Sequence, residues 1–195
     1  MKAGLMLAVN PDSVREKDDF YATDGFAVVK MADKLKEIGI SGSVWECACG
    51  NGCLSEPLKA LGYDVLSTDL IDRGYGQVED FLASGRRWDG DIITNPPFKD
   101  AVKFIEKSMQ VLQTGRKALF LLKIQFLETP KRAEVFKKCG LKRVIVNSER
   151  VCCAMNGDFD RYFKKKGNRY VGGTQLYAWY VFEKGFDGKP VLDFV

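Results

Sequence analysis

The chain has 195 residues, 46% of them hydrophobic, and a formal net charge of +4, which is enough apolar content for one full core, so a single domain over residues 1–195 is expected. No apolar run approaches the roughly 18 to 20 residues that span a bilayer, and residues 1–9 lack a basic leader followed by a cleavage site, so no membrane contact and a cytoplasmic location are expected. Six cysteines with no histidine exclude Ser-His-Asp, Cys-His and histidine-based acid/base schemes; without a C-x₂-C knuckle no metal is expected either, and the cysteines read as reduced, buried thiols.

Taken in order, Phe20-Tyr21-Ala22-Thr23-Asp24 leads into apolar residues at helical spacing: Val28, Met31, Ala32, Leu35 and Ile38. Thr23 or Asp24 would cap this helix and Gly39 would end it. Residues 43–48 read as a first buried strand, left through Cys49-Gly50-Asn51-Gly52-Cys53. Glycines at 50 and 52 let the backbone approach a ligand closely, or merely turn the chain. Leu54, Leu58 and Leu61 mark a helix that stops at Gly62. Residues 63–68 form a second strand closing on Asp69, a position from which an acid accepts hydrogen bonds from ribose hydroxyls. Ser55 and Glu56 stand where the dinucleotide fingerprint would continue to its third glycine. A pyrophosphate is therefore disfavoured, and a nucleoside without a diphosphate fits better.

A short third strand, 77–79, runs into Asp80-Phe81-Leu82, where an acid and an apolar ring or side chain could take an adenine, or could be a cap with core residues behind it. The fourth strand, 88–94, delivers Asn95-Pro96-Pro97-Phe98. Proline fixes φ and constrains the residue before it, so two in a row make a stiff, extended corner. On it the Asn95 carboxamide, the Pro96 carbonyl and the Phe98 ring can face one pocket. Two acceptors and a flat apolar wall suit a planar group carrying an NH₂; the plain alternative is a strand-to-helix turn.

Asp100 then caps a helix burying Ala101, Phe104, Ile105, Ser108 and Leu112 and closing near Gly115. Residues 117–126 form a long apolar fifth strand. Thr129-Pro130 starts a helix that Gly140 ends. Residues 141–146 and 175–183 are the sixth and seventh strands. No helical pattern separates these two, so they should pair antiparallel, whereas the preceding strand-helix alternation implies parallel strands. Between them, residues 147–174 place Arg150, Arg161, Lys164, Lys165, Lys166 and Arg169 among Phe159, Tyr162, Phe163 and Tyr170. Cations interleaved with aromatics suit phosphate contacts and base stacking; a solvated loop with Gly167, Gly172 and Gly173 is the bland reading. Charge follows the same division: residues 1–98 carry 10 Lys+Arg against 16 Asp+Glu, and residues 99–195 carry 20 against 10. A basic half beside an acidic one is the pattern of a polyanion-binding protein with a separate site for a cationic ligand.

The glycine turn after the first strand, the acid after the second, Asp80-Phe81 after the third and Asn95-Pro96-Pro97-Phe98 after the fourth together resemble the S-adenosylmethionine-dependent DNA N6-adenine methyltransferases, including compact ones typical of bacteriophages. The resemblance covers about residues 18–190, and the segment from Tyr177 to Gly185 is similar to the last strand of the phage-type enzymes. It implies an α/β, Rossmann-like class I methyltransferase fold with a seven-stranded mixed sheet, the last strand antiparallel, and helices on both faces. It implies S-adenosyl-L-methionine as cofactor, with Tyr21 and Thr23 at the methionine carboxylate. Glu46, Cys47, Cys49, Gly50 and Gly52 would lie around the methionine moiety, Asp69 and Leu70 at the ribose, Asp80 and Phe81 at the adenine. Cys47-Ala48-Cys49 departs from the Pro- or Gly-containing stretch usual there. Asn95, which also borders the cofactor, would work with Pro96, Pro97 and Phe98 in catalysis: Oδ1 and the Pro96 carbonyl accept the two N–H bonds of the target amine while Phe98 stacks on the base. The implied partner is double- or single-stranded DNA, touched by the cations of residues 147–174, in a bacterial or phage-infected cell. Related readings are methylation of an RNA base or of a protein glutamine amide. A different one is a non-catalytic nucleic-acid-binding subunit that keeps the fold.

Overall fold

The computed structural model describes residues 20–167 and 169–195; the reading of residues 1–9 as lacking a leader lies outside them. The described residues begin with β1 (Tyr21–Thr23), α1 (Phe26–Lys30) and α2 (Ala32–Glu37). The single helix expected here is broken at Met31, whose N–H closes a tight turn on the Val28 carbonyl. There follow β2 (Ser43–Glu46), α3 (Ser55–Ala60), β3 (Asp64–Asp69), β4 (Gln77–Val78) and β5 (Asp91–Thr94). A 3₁₀ turn, Phe98–Asp100, leads into α4 (Ala101–Val111). Next are β6 (Lys117–Lys123), a 3₁₀ turn Ile124–Leu127, α5 (Pro130–Lys138) and β7 (Leu141–Val146). The remainder comprises β8 (Cys153–Met155), α6 (Phe159–Tyr162), β9 (Lys164–Lys166), β10 (Arg169–Val171), β11 (Tyr177–Glu183) and β12 (Val191–Phe194).

The central sheet runs β12-β7-β11-β6-β5-β2-β3-β4. Its neighbours are parallel except at β11, which lies antiparallel between β6 and β7. Seven strands with the last antiparallel are expected from sequence; an eighth is present, and this last strand, β12, runs parallel to β7. Its four residues are too few for a periodic pattern and three of them, Val191, Leu192 and Phe194, stay exposed. The ladder to β7 holds β12, and Asp193 adds ion pairs to both Lys34 and Arg143.

Side chains alternate across a pleated sheet, and here the alternation sorts them into two cores. Trp45, Ile92, Phe120, Leu122, Tyr180 and Phe182 face α4 and α5, while Val44, Ile93, Leu119, Leu121, Trp179 and Val181 face α1, α2 and α3. Helices thus cover both faces. The strands β2, β3, β5 and β6 end on the same edge, and the chain reverses direction across the sheet between β5 and β2. In an open α/β sheet a ligand crevice lies at that reversal, beyond the carboxyl ends of the strands.

Residues 147–174 are more ordered in arrangement than a loop. β8 pairs antiparallel with β1, Thr23 opposite Cys153, and β9 with β10 make a hairpin. Three-residue strands carry no readable period, which is why the sequence shows neither pairing.

Candidate active site

The tips of β2, β3 and β5 surround a cleft of two connected chambers. The first is lined by Phe20, Tyr21, Thr23, Glu46, Cys49, Asn51, Cys53, Asp69, Arg73, Asn95 and Pro96 among others. The second takes in Cys47, Asp80, Phe81, Leu82, Lys99 and Phe104. Ala48, Asp69, Leu70, Ile71 and Pro97 border both. One elongated groove therefore joins the glycine turn, the acid after β3 and the Pro-Pro corner.

Asn95 is the most constrained group in it. Its Nδ2 donates to the Tyr21 carbonyl at 3.1 Å and to Thr23 Oγ1 at 2.9 Å. A carbonyl can only accept, so the amide orientation follows from the network. Oδ1 is left buried with no hydrogen-bond partner among the described residues. A buried acceptor without a donor costs about 1–3 kcal/mol, and its natural remedy is a ligand N–H. Thr23 is itself buried and β1 is held by β8, so residues 153–155 support the amide from behind. Tyr21 and Thr23, expected at a carboxylate, both line the first chamber and also hold Asn95, through the Tyr21 carbonyl and Thr23 Oγ1. Phe98 lies between Tyr21, 5.6 Å away, and Tyr177, 6.2 Å away.

The glycine turn is held from β3. Gly50 N–H donates to Asp69 Oδ2 at 2.8 Å and Ile71 N–H to Oδ1 at 3.0 Å. Gly50 and Gly52 have φ of +55° and +86°. A Cβ would meet the Phe20 ring at Gly50 and the Tyr75 ring at Gly52, within 2.3 and 2.6 Å. In this structure the space over these glycines is taken by the Phe20 and Tyr75 rings. Glu46 is buried, and Ser55 donates to its carboxylate. Burial pushes its pKa up to about 8, against the lowering effect of the Ser55 hydrogen bond. Cys47 is buried in the core, and burial likewise raises its thiol and that of Cys49, the latter to about 12.

Asp80 caps a turn, accepting from the N–H groups of Leu82 and Ala83. Phe81 is 2% exposed and packs edge-on to Trp45 and against Phe104. Asp80 thus caps the turn through Oδ1 with Phe81 in the core behind it, and both residues also line the second chamber. Leu70, 63% exposed, presents the free apolar surface at this end.

Arg73 escapes the sequence reading. Among the described residues lining the first chamber it alone is cationic. Its guanidinium lies 4.2 Å from the Phe20 ring centre, and its Nε is buried without a partner among the described residues. It sits in an irregular loop where no residue pattern marks it.

Of the cations in residues 147–174, Arg150 donates to the Gly173 carbonyl, and Arg169 binds Glu149 and lies over Phe26. Phe159 and Tyr170 stack on each other at 4.8 Å. Those side chains fasten the insertion to itself and to α1. Arg161, Lys164, Lys165 and Lys166 remain exposed. Among the described residues, no group of three or more Cys, Asp or Glu could hold a metal ion, and no helix is long and apolar enough to cross a membrane.

No family model matches the chain, and no curated protein matches it. Solved structures match at the level of the fold. A protein of Listeria monocytogenes assigned to the class I S-adenosylmethionine-dependent methyltransferases is 19% identical with a TM-score of 0.55, covering 88% of this chain and 64% of its own. An S-adenosylmethionine-dependent O-methyltransferase of Thermotoga maritima is 15% identical with a TM-score of 0.53, over 84% and 67%. The type IIG restriction endonuclease BpuSI is 11% identical with a TM-score of 0.53, over 85% of this chain and 25% of that one. The chain thus spans less than two thirds of the Listeria protein's length. It has the Rossmann-like fold of the class I methyltransferases.

Proposed function

We propose that the chain is an S-adenosylmethionine-dependent methyltransferase acting on the exocyclic N6 amine of adenine in DNA. The observation that carries this reading is Asn95 Oδ1: a buried acceptor without a partner, on a stiff Pro-Pro corner, in the same groove as the glycine turn and Asp69. Oδ1 suits one N–H of an aromatic amine, and the Pro96 carbonyl beside it suits the other. Both acceptors draw on the N–H hydrogens, which frees the nitrogen lone pair from conjugation with the ring. Positioning and electrostatics then supply the acceleration, with no histidine base needed.

The groove fits the cofactor by its own features. The remaining lone pairs of Asp69, whose oxygens each accept one backbone N–H, would take ribose hydroxyls, and the exposed Leu70 would offer an apolar face to a purine. Arg73, with its unpartnered Nε, suits the carboxylate of the amino-acid arm, since guanidinium and carboxylate match in geometry. When bound, S-adenosylmethionine supplies an electrophilic methyl group on a sulfonium. Phe98 provides a ring on which the target base stacks, and reaching it from a duplex requires the base to flip out. The basic second half and the exposed lysines of β9 support a nucleic acid over a protein acceptor.

The test is labelled methyl transfer offered to DNA, RNA and protein in parallel. Label appearing in DNA as N6-methyladenine is expected; label confined to RNA or protein contradicts the assignment of substrate.

A further inference from the structure

Behind Phe98 a second hollow opens, lined by Phe98, Leu122, Lys123, Gln125, Phe126 and Arg132. Chain path explains its make-up. β6 ends at Lys123, beside the Pro-Pro corner, and the 3₁₀ turn Ile124–Leu127 carries the chain outward. Thr129 then sends it back at φ +92°, a conformation that residues other than glycine rarely take. Its Oγ1 accepts from the Arg132 N–H, and Arg132 returns to line the same hollow as Lys123.

Both cations are held without carboxylates. Lys123 Nζ is 5.1 Å from the centre of the Phe98 ring, and the Arg132 guanidinium 4.5 Å from that of Phe126. Arg132 Nη1 donates to the carbonyls of Gln125, at 3.2 Å, and Glu128, at 3.5 Å. Neither makes an ion pair with a described residue, and no Asp or Glu lines the hollow. Several other cations on the molecule are neutralised: Arg143 by Glu37 and Asp193, Lys138 by Glu106, Arg116 by Asp89. Ring faces and peptide dipoles orient Lys123 and Arg132 while leaving their positive charge uncompensated. Two such charges over an aromatic floor are what a phosphodiester with an adjoining sugar or base requires.

The geometry points to this hollow as a phosphodiester site for the nucleotide flanking the target base, Lys123 and Arg132 taking the phosphate and Phe126 the apolar side. It rests on the methyl-transfer reading, because Phe98 is the wall shared by the hollow and the corner. The site also serves specificity: a neutral glutamine-bearing peptide gains nothing from two unpaired cations.

Lys123→Gln and Arg132→Gln in the full chain test this, with Lys138→Gln as a control whose cation is already paired. Binding of fluorescent single-stranded and duplex DNA 12-mers is titrated against KCl, beside S-adenosylhomocysteine affinity and oligonucleotide KM. Each hollow variant should bind DNA about three- to ten-fold more weakly and lose about one unit of salt slope. KM should rise while kcat and S-adenosylhomocysteine affinity stay within about two-fold. Arg132→Lys and Lys123→Arg, which keep the charge, should retain the slope even if the glutamine variants fold poorly. An unchanged slope with intact S-adenosylhomocysteine binding would overturn the site. So would weakened binding of an acidic peptide with oligonucleotide binding unaffected. Wild-type chain that binds neither S-adenosylhomocysteine nor DNA would instead sink the underlying methyl-transfer reading.

Discussion

The corner after β5 and the hairpin of β9 and β10 are both built from few residues, yet they are held in opposite ways. Asn95 stands at the end of a strand buried on every residue, its amide gripped by two acceptors from β1, so its free oxygen has one position. Lys164, Lys165 and Lys166 stand on an exposed strand paired only to its own hairpin partner, so their charges share a region more than a point. A rigid acceptor suits chemistry on one atom, and a loose row of cations suits attraction of a polyanion. The difference sets what each substitution should do.

Asn95→Ala should have the largest effect, lowering the transfer rate about 10²–10³-fold, the cost of losing one preorganised polar partner of the reacting group. S-Adenosylhomocysteine affinity should stay nearly intact. A rate within a few-fold of wild type would remove Asn95 from the proposed role. Next is Arg73→Gln. A lost charged hydrogen bond is worth about 1.5–3 kcal/mol, so calorimetry should find S-adenosylhomocysteine bound roughly 10- to 100-fold more weakly. An analogue lacking the carboxylate should bind wild type and variant alike; equal losses for both ligands would show that Arg73 does not reach that group. Neutralising Lys164, Lys165 and Lys166 together should weaken DNA binding by about one order of magnitude and cut the salt slope by about two to three, with kcat unchanged. A drop in kcat would mean that the hairpin positions the corner as well.

The smallest effect is on stability. Burial holds the Glu46 proton in the folded chain up to a pH of about 8, whereas the unfolded chain releases it near 4.5. The folded state therefore binds more protons across that window, and the stability contributed by this group is full below pH 4.5 and drains as pH rises toward 8. Thermal unfolding should show wild type losing a few degrees relative to Glu46→Gln between pH 5 and 8. Parallel curves would mean that Glu46 is ionised in the folded protein.

The same contrast explains what could be read in the residues. The βα alternation, the antiparallel β11, the buried strands and the Asn-Pro-Pro-Phe corner were legible because apolar period and proline chemistry act locally. Asp69 ends β3 and is tied to the glycine turn through Gly50 N–H, while the rings of Phe20 and Tyr75 that fill the glycine space come from segments with no sequence link to it. Thr23 and Cys153 meet across a pairing of two three-residue strands 130 positions apart, and no local pattern encodes that. Arg73, Lys123 and Arg132 become visible only once folding shows which cations have no acid beside them. Arg150 and Arg169 read from sequence as phosphate contacts, and their bonds to the Gly173 carbonyl and to Glu149, which fasten the insertion, come from the fold alone.

The most direct measurement is a nucleoside digest, by mass spectrometry, of DNA incubated with S-adenosylmethionine and either the wild-type chain or Asn95→Ala. N6-methyldeoxyadenosine that accumulates with wild type and vanishes with the variant is the expected result. Methyl groups found on a ring carbon, or N6-methyldeoxyadenosine formed equally by both proteins, would contradict an amine gripped by the Asn95 oxygen.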